Sequence, residues 1–122
     1  MTFLFPPLQD PKTHFITKIS ALLNIGKIHL AAGEAGKALK ALKVAQTRAE
    51  NIGENNQAQN VYNLLGEAYQ NINETGLAEF YYKKAMATAA SLGDGNAALP
   101  AYLKFGKMLA KNVSEKSDTT WI

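Results

Sequence analysis

Few residues in this chain have types and spacing suited to chemistry. Histidine occurs twice, at His14 and His29, and cysteine is absent, which excludes disulfides, thiolate metal sites and cysteine nucleophiles. A metal site needs several converging ligands, and neither histidine has a third ligand close by in sequence. His29 falls in a column that holds Tyr69 forty residues later, so packing is its expected role. Glu34 and Glu74 recur at matching places ahead of apolar runs, where a carboxylate favours the positive end of a helix rather than proton transfer. Gly93-Asp94-Gly95 lacks the spacing of a phosphate loop. No acid is paired with a base, so neither an enzyme nor a cofactor is expected. The remaining groups suit recognition. Lys104, Lys107 and Lys111 fall on one helical face, which suits either an acidic peptide segment or, as the favoured reading, a solvated capping face, and the side-chain amides of Asn24, Asn63 and Asn71 can donate to and accept from a peptide main chain.

Whatever holds these groups is of ordinary globular make-up. The 122 residues are 47% hydrophobic, 19% charged and 9% aromatic, as in a single folded domain. Thirteen basic residues against ten acidic ones leave +3, too small an excess to favour nucleic acid or an anionic membrane. Were the lysine face to bind RNA, binding would weaken steeply with salt. No apolar run approaches the roughly 18 residues that span a bilayer. Met1 to Pro7 lacks the basic region and long apolar stretch of a secretory signal, so a soluble, cytoplasmic protein is expected.

The organising feature is an internal repeat. Gly26, Gly66 and Gly106 stand forty residues apart in similar surroundings, and residues 21 to 60 slide onto 61 to 100 without a gap. Ala58, Val61, Tyr62, Leu65, Ala68, Tyr69 and Ile72 recur at three- and four-residue steps, which predicts a helix from about Glu54 to Ile72. Asn73-Glu-Thr-Gly76 breaks it, and Ala78, Tyr81, Tyr82, Ala85, Ala89 and Leu92 mark a second helix ended by Gly93. Unit one repeats the plan from Asp10-Pro11, through a turn at Gly33-Glu-Ala-Gly36, to Gly53. Gly inside a helix costs about 1 kcal/mol against Ala, so the glycine column implies close helix packing, with Ala38 and Ala78 as the expected partners. Unit three supplies one helix, Ala101 to Ala110, with a kink or restart expected at Pro100. The domain is thus expected over 10–111, in units of about 10–53, 54–93 and a half unit 94–111, with 1–9 extended and 112–122 a flexible tail.

Tyr62, Leu65, Gly66, Tyr69, Ala78, Tyr82 and Ala85, with Leu22, Ile25, Gly26, His29, Ala38, Leu42 and Ala45 in unit one, resemble the tetratricopeptide (TPR) pattern. The forty-residue period and the junctions Ile52-Gly53-Glu54 and Leu92-Gly93-Asp94 are similar to the longer-helix branch of adaptors of G-protein alpha subunits and of kinesin light chains. The resemblance implies an all-α fold of about five main helices, a right-handed superhelical stack of antiparallel helix pairs. It also implies a non-enzymatic module that binds a peptide or helix of a partner protein on its concave face.

Carried over column by column, that face takes Leu23, Lys27, Leu30 and Ala31, then Asn63, Glu67, Gln70 and Asn71. Unit three adds Leu103, Lys107, Ala110 and Lys111, with Lys104 beside them. The family's two-carboxylate clamp would use the places of Leu23, Lys27, Leu64, Pro100 and Lys104, of which Lys104 alone is compatible, so chaperone-tail binding is disfavoured. Asn24 matches one asparagine that grips main chain in the G-protein adaptors, Lys27, Leu64 and Glu67 depart from the others, and Asn63 and Asn71 can substitute by bonding a bound main chain. The competing expectation is assembly: exposed end faces that form a homo-oligomer or belong to a larger TPR scaffold.

Overall fold

The computed structural model describes residues 11–93 and 96–120. Five helices follow one another: α1 Pro11–Ala31, α2 Ala35–Ile52, α3 Asn55–Asn71, α4 Thr75–Ser91 and α5 Leu99–Thr120, the last preceded by a 3-10 turn at Asn96–Ala98. No strand occurs among the described residues. The fold is an antiparallel helical stack, with α1 paired to α2, α3 to α4, α3 also against α1 and α2, and α5 against α3 and α4. The expected extended segment 1–9 lies outside the described residues.

Three turns share one construction. Gly33 and Gly53 adopt φ of 77° and 66°, and Asn73 does so at 63°, a left-handed conformation that glycine and, less readily, asparagine tolerate. The next residue is Glu34, Glu54 or Glu74, and its N–H reaches back to the carbonyl of His29, Ala49 or Tyr69 at 2.8, 3.0 and 2.9 Å. Each glutamate carbonyl then accepts the N–H of Ala38, Ala58 or Ala78, so one residue closes a helix and opens the next. The turn therefore repeats every twenty residues. Gly36 and Gly76, expected as turn residues, sit in the first turns of α2 and α4.

Alanine and one large residue per hairpin make the core. Ala38, Leu42, Ala45 and Ala49 of α2 and Ala78, Tyr82, Ala85 and Ala89 of α4 are fully buried, together with Ile19, Val61 and Leu65. The glycine column does mark close packing in the two complete hairpins, but its partner is not the alanine twelve residues on. A Cβ at Gly26 would lie 2.7 Å from Leu42 Cδ2, and one at Gly66 would lie 2.6 Å from Tyr82 Cε1. Glycine facing alanine would leave a void with no contact partners, whereas a large side chain sixteen residues on fills the socket. Gly106 is different: among the described residues nothing comes within 4 Å of a Cβ built there.

Pro100 falls in the first turn of α5, where its missing N–H would have had no helical partner, so the chain restarts there. Helix α5 does not stop at Lys111 but continues to Thr120.

Candidate functional site

The first helix of each unit contributes to a groove of about 220 Å³. Leu23 and Lys27 come from α1, Gln59, Asn60, Asn63 and Leu64 from α3, and Pro100 and Lys104 from α5. Relative to the glycines, the contributions slide from three before and one after in α1, through seven to two before in α3, to six and two before in α5. The groove therefore runs diagonally across the helices rather than along fixed columns. Two bonds tie its helices together. Gln57 Nε2 donates to Ser20 Oγ at 2.8 Å between α3 and α1, and Lys104 Nζ donates to Glu67 Oε1 at 2.6 Å between α5 and α3.

Asn63 is the exceptional residue in this groove. It is 7% exposed, and its Oδ1 is buried without a hydrogen-bond partner. An unpaired buried acceptor costs on the order of 1–3 kcal/mol, and native folds seldom leave one so. Lys27 is exposed beside it, and Leu23, Leu64 and Pro100 supply apolar surface. The groove thus sets an exposed ammonium and an apolar wall beside a buried acceptor that lacks a donor. Such a set can hold a main-chain N–H, an anionic group and an apolar side chain.

Of the expected recognition residues, Lys27, Asn63 and Lys104 line the groove, and Glu67 joins through its ion pair with Lys104. Asn24, Asn71, Lys107 and Lys111 are exposed and are not among its lining residues. Gln70 braces the α3–α4 hairpin instead, accepting the Tyr82 hydroxyl at 2.8 Å. Burial, with a smaller contribution from the Glu67 charge, pushes the Tyr82 phenol well above its ordinary value, which keeps it a donor. Gln59 and Asn60 were not expected in the groove. They lie on the same α3 face as Asn63, four and three residues before it, and that spacing was the available signal.

Two further clusters of titratable groups brace the fold. Tyr62 donates to Glu50 Oε2 at 2.6 Å across the α2–α3 junction, and Lys84 Nζ lies 4.9 Å above its ring. Burial first, and then the bond to Glu50, hold that phenol protonated. His29 Nδ1 is 2.9 Å from Glu34 Oε1, and Glu34 Oε2 accepts from Lys37 Nζ at 3.3 Å. The bond to His29, followed by the contacts with Lys37, holds the Glu34 carboxyl below its ordinary value. Among the described residues no group of three or more His, Cys, Asp or Glu could hold a metal ion. No described helix is long and apolar enough to cross a membrane.

Known proteins share this sequence in part. Protein O-mannosyl-transferase TMTC2 of Mus musculus is 30% identical over 103 residues, which cover 84% of this chain and 11% of the relative. The Homo sapiens protein of the same name gives the same identity and coverage, and tmtc2 of Xenopus laevis is 30% identical over 102 residues. The chain thus spans only 11% of the length of these curated relatives. No protein-family model and no solved structure matches it. The partial likeness, the forty-residue period and the stack of antiparallel hairpins make the chain a TPR-like helical-repeat protein.

Proposed function

We propose that this chain is a non-catalytic recognition module whose α1–α3–α5 groove holds an extended peptide segment of a partner protein. The observation that carries the reading is the buried, unpartnered Asn63 Oδ1. A main-chain N–H from the peptide satisfies it once the Asn63 side chain turns outward, Lys27 meets an acidic side chain, and an apolar side chain rests on Leu23, Leu64 and Pro100. Asn63 does not stand at an asparagine place of the G-protein alpha adaptors, so the reading rests on the groove itself. The transferase activity in the relatives' names is not carried over, because the chain spans only 11% of their length. A second reading, a repeat segment within a larger scaffold, is favoured by the small share of the relatives that the chain covers. It is compatible with the same groove.

The test is a selection of displayed 12-residue peptides against the wild-type chain, followed by calorimetric titration of the winners. Asn63→Leu is expected to weaken them at least tenfold, equivalent to about 1.4 kcal/mol, and Lys27→Glu to invert any preference for acidic residues. Asn63→Leu is also expected to raise the melting temperature, since it removes an unsatisfied buried acceptor. Selected peptides that bind Asn63→Leu as tightly as wild type would overturn the reading.

A further inference from the structure

Helices α2 and α4 do not pack on each other; each packs on α3, which floors the cleft between them. Tyr62 and Tyr69 stand two turns apart on α3, on the side turned away from Asn60 and Glu67. Tyr81 of α4 stacks on both, with ring centres 6.2 and 5.6 Å away. The two ends of this seam carry the same parts. At one end Lys84 Nζ lies 4.9 Å above the Tyr62 ring, and the Tyr62 hydroxyl donates to Glu50 Oε2, itself 3.8 Å from Lys84 Nζ. At the other, Lys43 Nζ lies 5.7 Å from the centre of the Tyr69 ring, and contact with the Tyr69 hydroxyl holds that ammonium above its ordinary value. Only the first end has a carboxylate: among the described residues Lys43 pairs with no Asp or Glu. Charge is concentrated here as well. Helix α2 holds Lys37, Lys40, Lys43 and Arg48 against Glu50 alone, a surplus equal to the +3 of the whole chain. Beside the seam, Leu77 and Phe80 lie one turn apart on α4 and are 42% and 53% exposed.

We propose that the α2–α4 seam is a second recognition surface, which takes an acidic segment of a partner protein: a carboxylate on Lys43 and the Tyr69 hydroxyl, and an apolar side chain on Leu77 and Phe80. The Glu50 end is the precedent inside the molecule, because there the same set of ammonium, ring and hydroxyl already holds a carboxylate. An ammonium steadied against a ring loses less side-chain freedom when an anion arrives, and the cationic surplus of α2 draws acidic partners to it. The seam is not an end face of the stack. Further repeats would add to α1 or α5, so continuing the array in either direction leaves the outer side of this cleft open. A second copy of the chain is a poor occupant, since Glu34, Glu50, Glu67 and Glu79 are engaged with lysines of their own. A nucleic-acid backbone needs an unbroken run of cations, which Glu50 and Glu79 interrupt on the same two helices. The site does not rest on the Asn63 groove.

The probe is a displayed library of 12-residue peptides selected against the full chain carrying Asn63→Leu and Lys27→Glu, which keeps the groove out of the selection. The recovered peptides are expected to place Asp or Glu beside an apolar residue, to bind more weakly as salt rises, and to shift the amide signals of Lys43, Tyr69, Leu77 and Phe80. Lys43→Gln and Phe80→Ala are each expected to weaken them at least tenfold. Both positions are exposed, so the variants keep the fold, and their melting curves verify this. Lys107→Ala leaves the binding unchanged. Peptides won by the groove of the wild-type chain are indifferent to Lys43→Gln, so either site can fail without the other. A selection that recovers no binder, binders without an acidic residue, or binders indifferent to Lys43→Gln would each overturn the proposal. So would an RNA oligonucleotide, or a second copy seen in light scattering, that occupies the seam in a Lys43-dependent way.

Discussion

A side chain added at Gly66 would meet the Tyr82 ring at 2.6 Å, and one added at Gly106 would meet nothing within 4 Å. Residues in one repeat column therefore respond in opposite ways. Gly66→Leu is expected to cost about 1–3 kcal/mol by overpacking, while Gly106→Ala is expected to stabilise by about 1 kcal/mol through helix propensity. Thermal unfolding of the pair checks this, and melting points shifted in the same direction would refute it. Periodicity located the close-packed column correctly but not its partner. Spacing identifies the helix that must approach, whereas the crossing register depends on which residue is large enough to fill the socket. Glu34 gives a second prediction at this scale. Its carboxyl is held below the ordinary 4.5, chiefly by the bond to His29. A depressed carboxyl contributes stability above its unfolded value and loses it as pH falls through the folded value. Wild type should therefore melt above Glu34→Gln at neutral pH, and the gap should close as the solution is acidified below 4.5. The contribution is small because the pair is exposed, and a gap that persists in acid would show that it does not arise from titration.

At the scale of elements, the turns are built from one conformation repeated every twenty residues, at Gly33, Gly53 and Asn73. The sequence pattern showed breaks in these places, but the identical role of Glu34, Glu54 and Glu74 emerges only from the backbone bonds. Asn73 occupies the left-handed region without being glycine. Asn73→Val should therefore destabilise by about 1–2 kcal/mol, and Asn73→Gly should be neutral or stabilising. Denaturant titration of both variants is the check, and a harmless valine would mean the turn can rearrange. The groove was legible in part for a related reason. Lys27, Asn63 and Lys104 followed from repeat columns, but the columns treat the first helices as parallel copies. The observed groove cuts across them diagonally, which brings in Gln59 and Asn60 and leaves out Asn24, Asn71, Lys107 and Lys111.

For the whole molecule, a stack in which each helix touches only its near neighbours has stability that varies along its length. Helix α3 sits at the centre, packed against α1, α2, α4 and α5, and every residue from Val61 to Gly66 is buried. Over 99–111, helix α5 leaves Leu99, Tyr102, Leu103 and Leu109 exposed. Local opening is governed by how much apolar contact a segment must lose. Native-state hydrogen exchange should therefore show the greatest protection in α3 and the least, among the helix interiors, in α5 over 99–111. Uniform protection across all five helices would instead mean that the chain opens only as a single cooperative unit, with α5 held by contacts beyond those to α3 and α4.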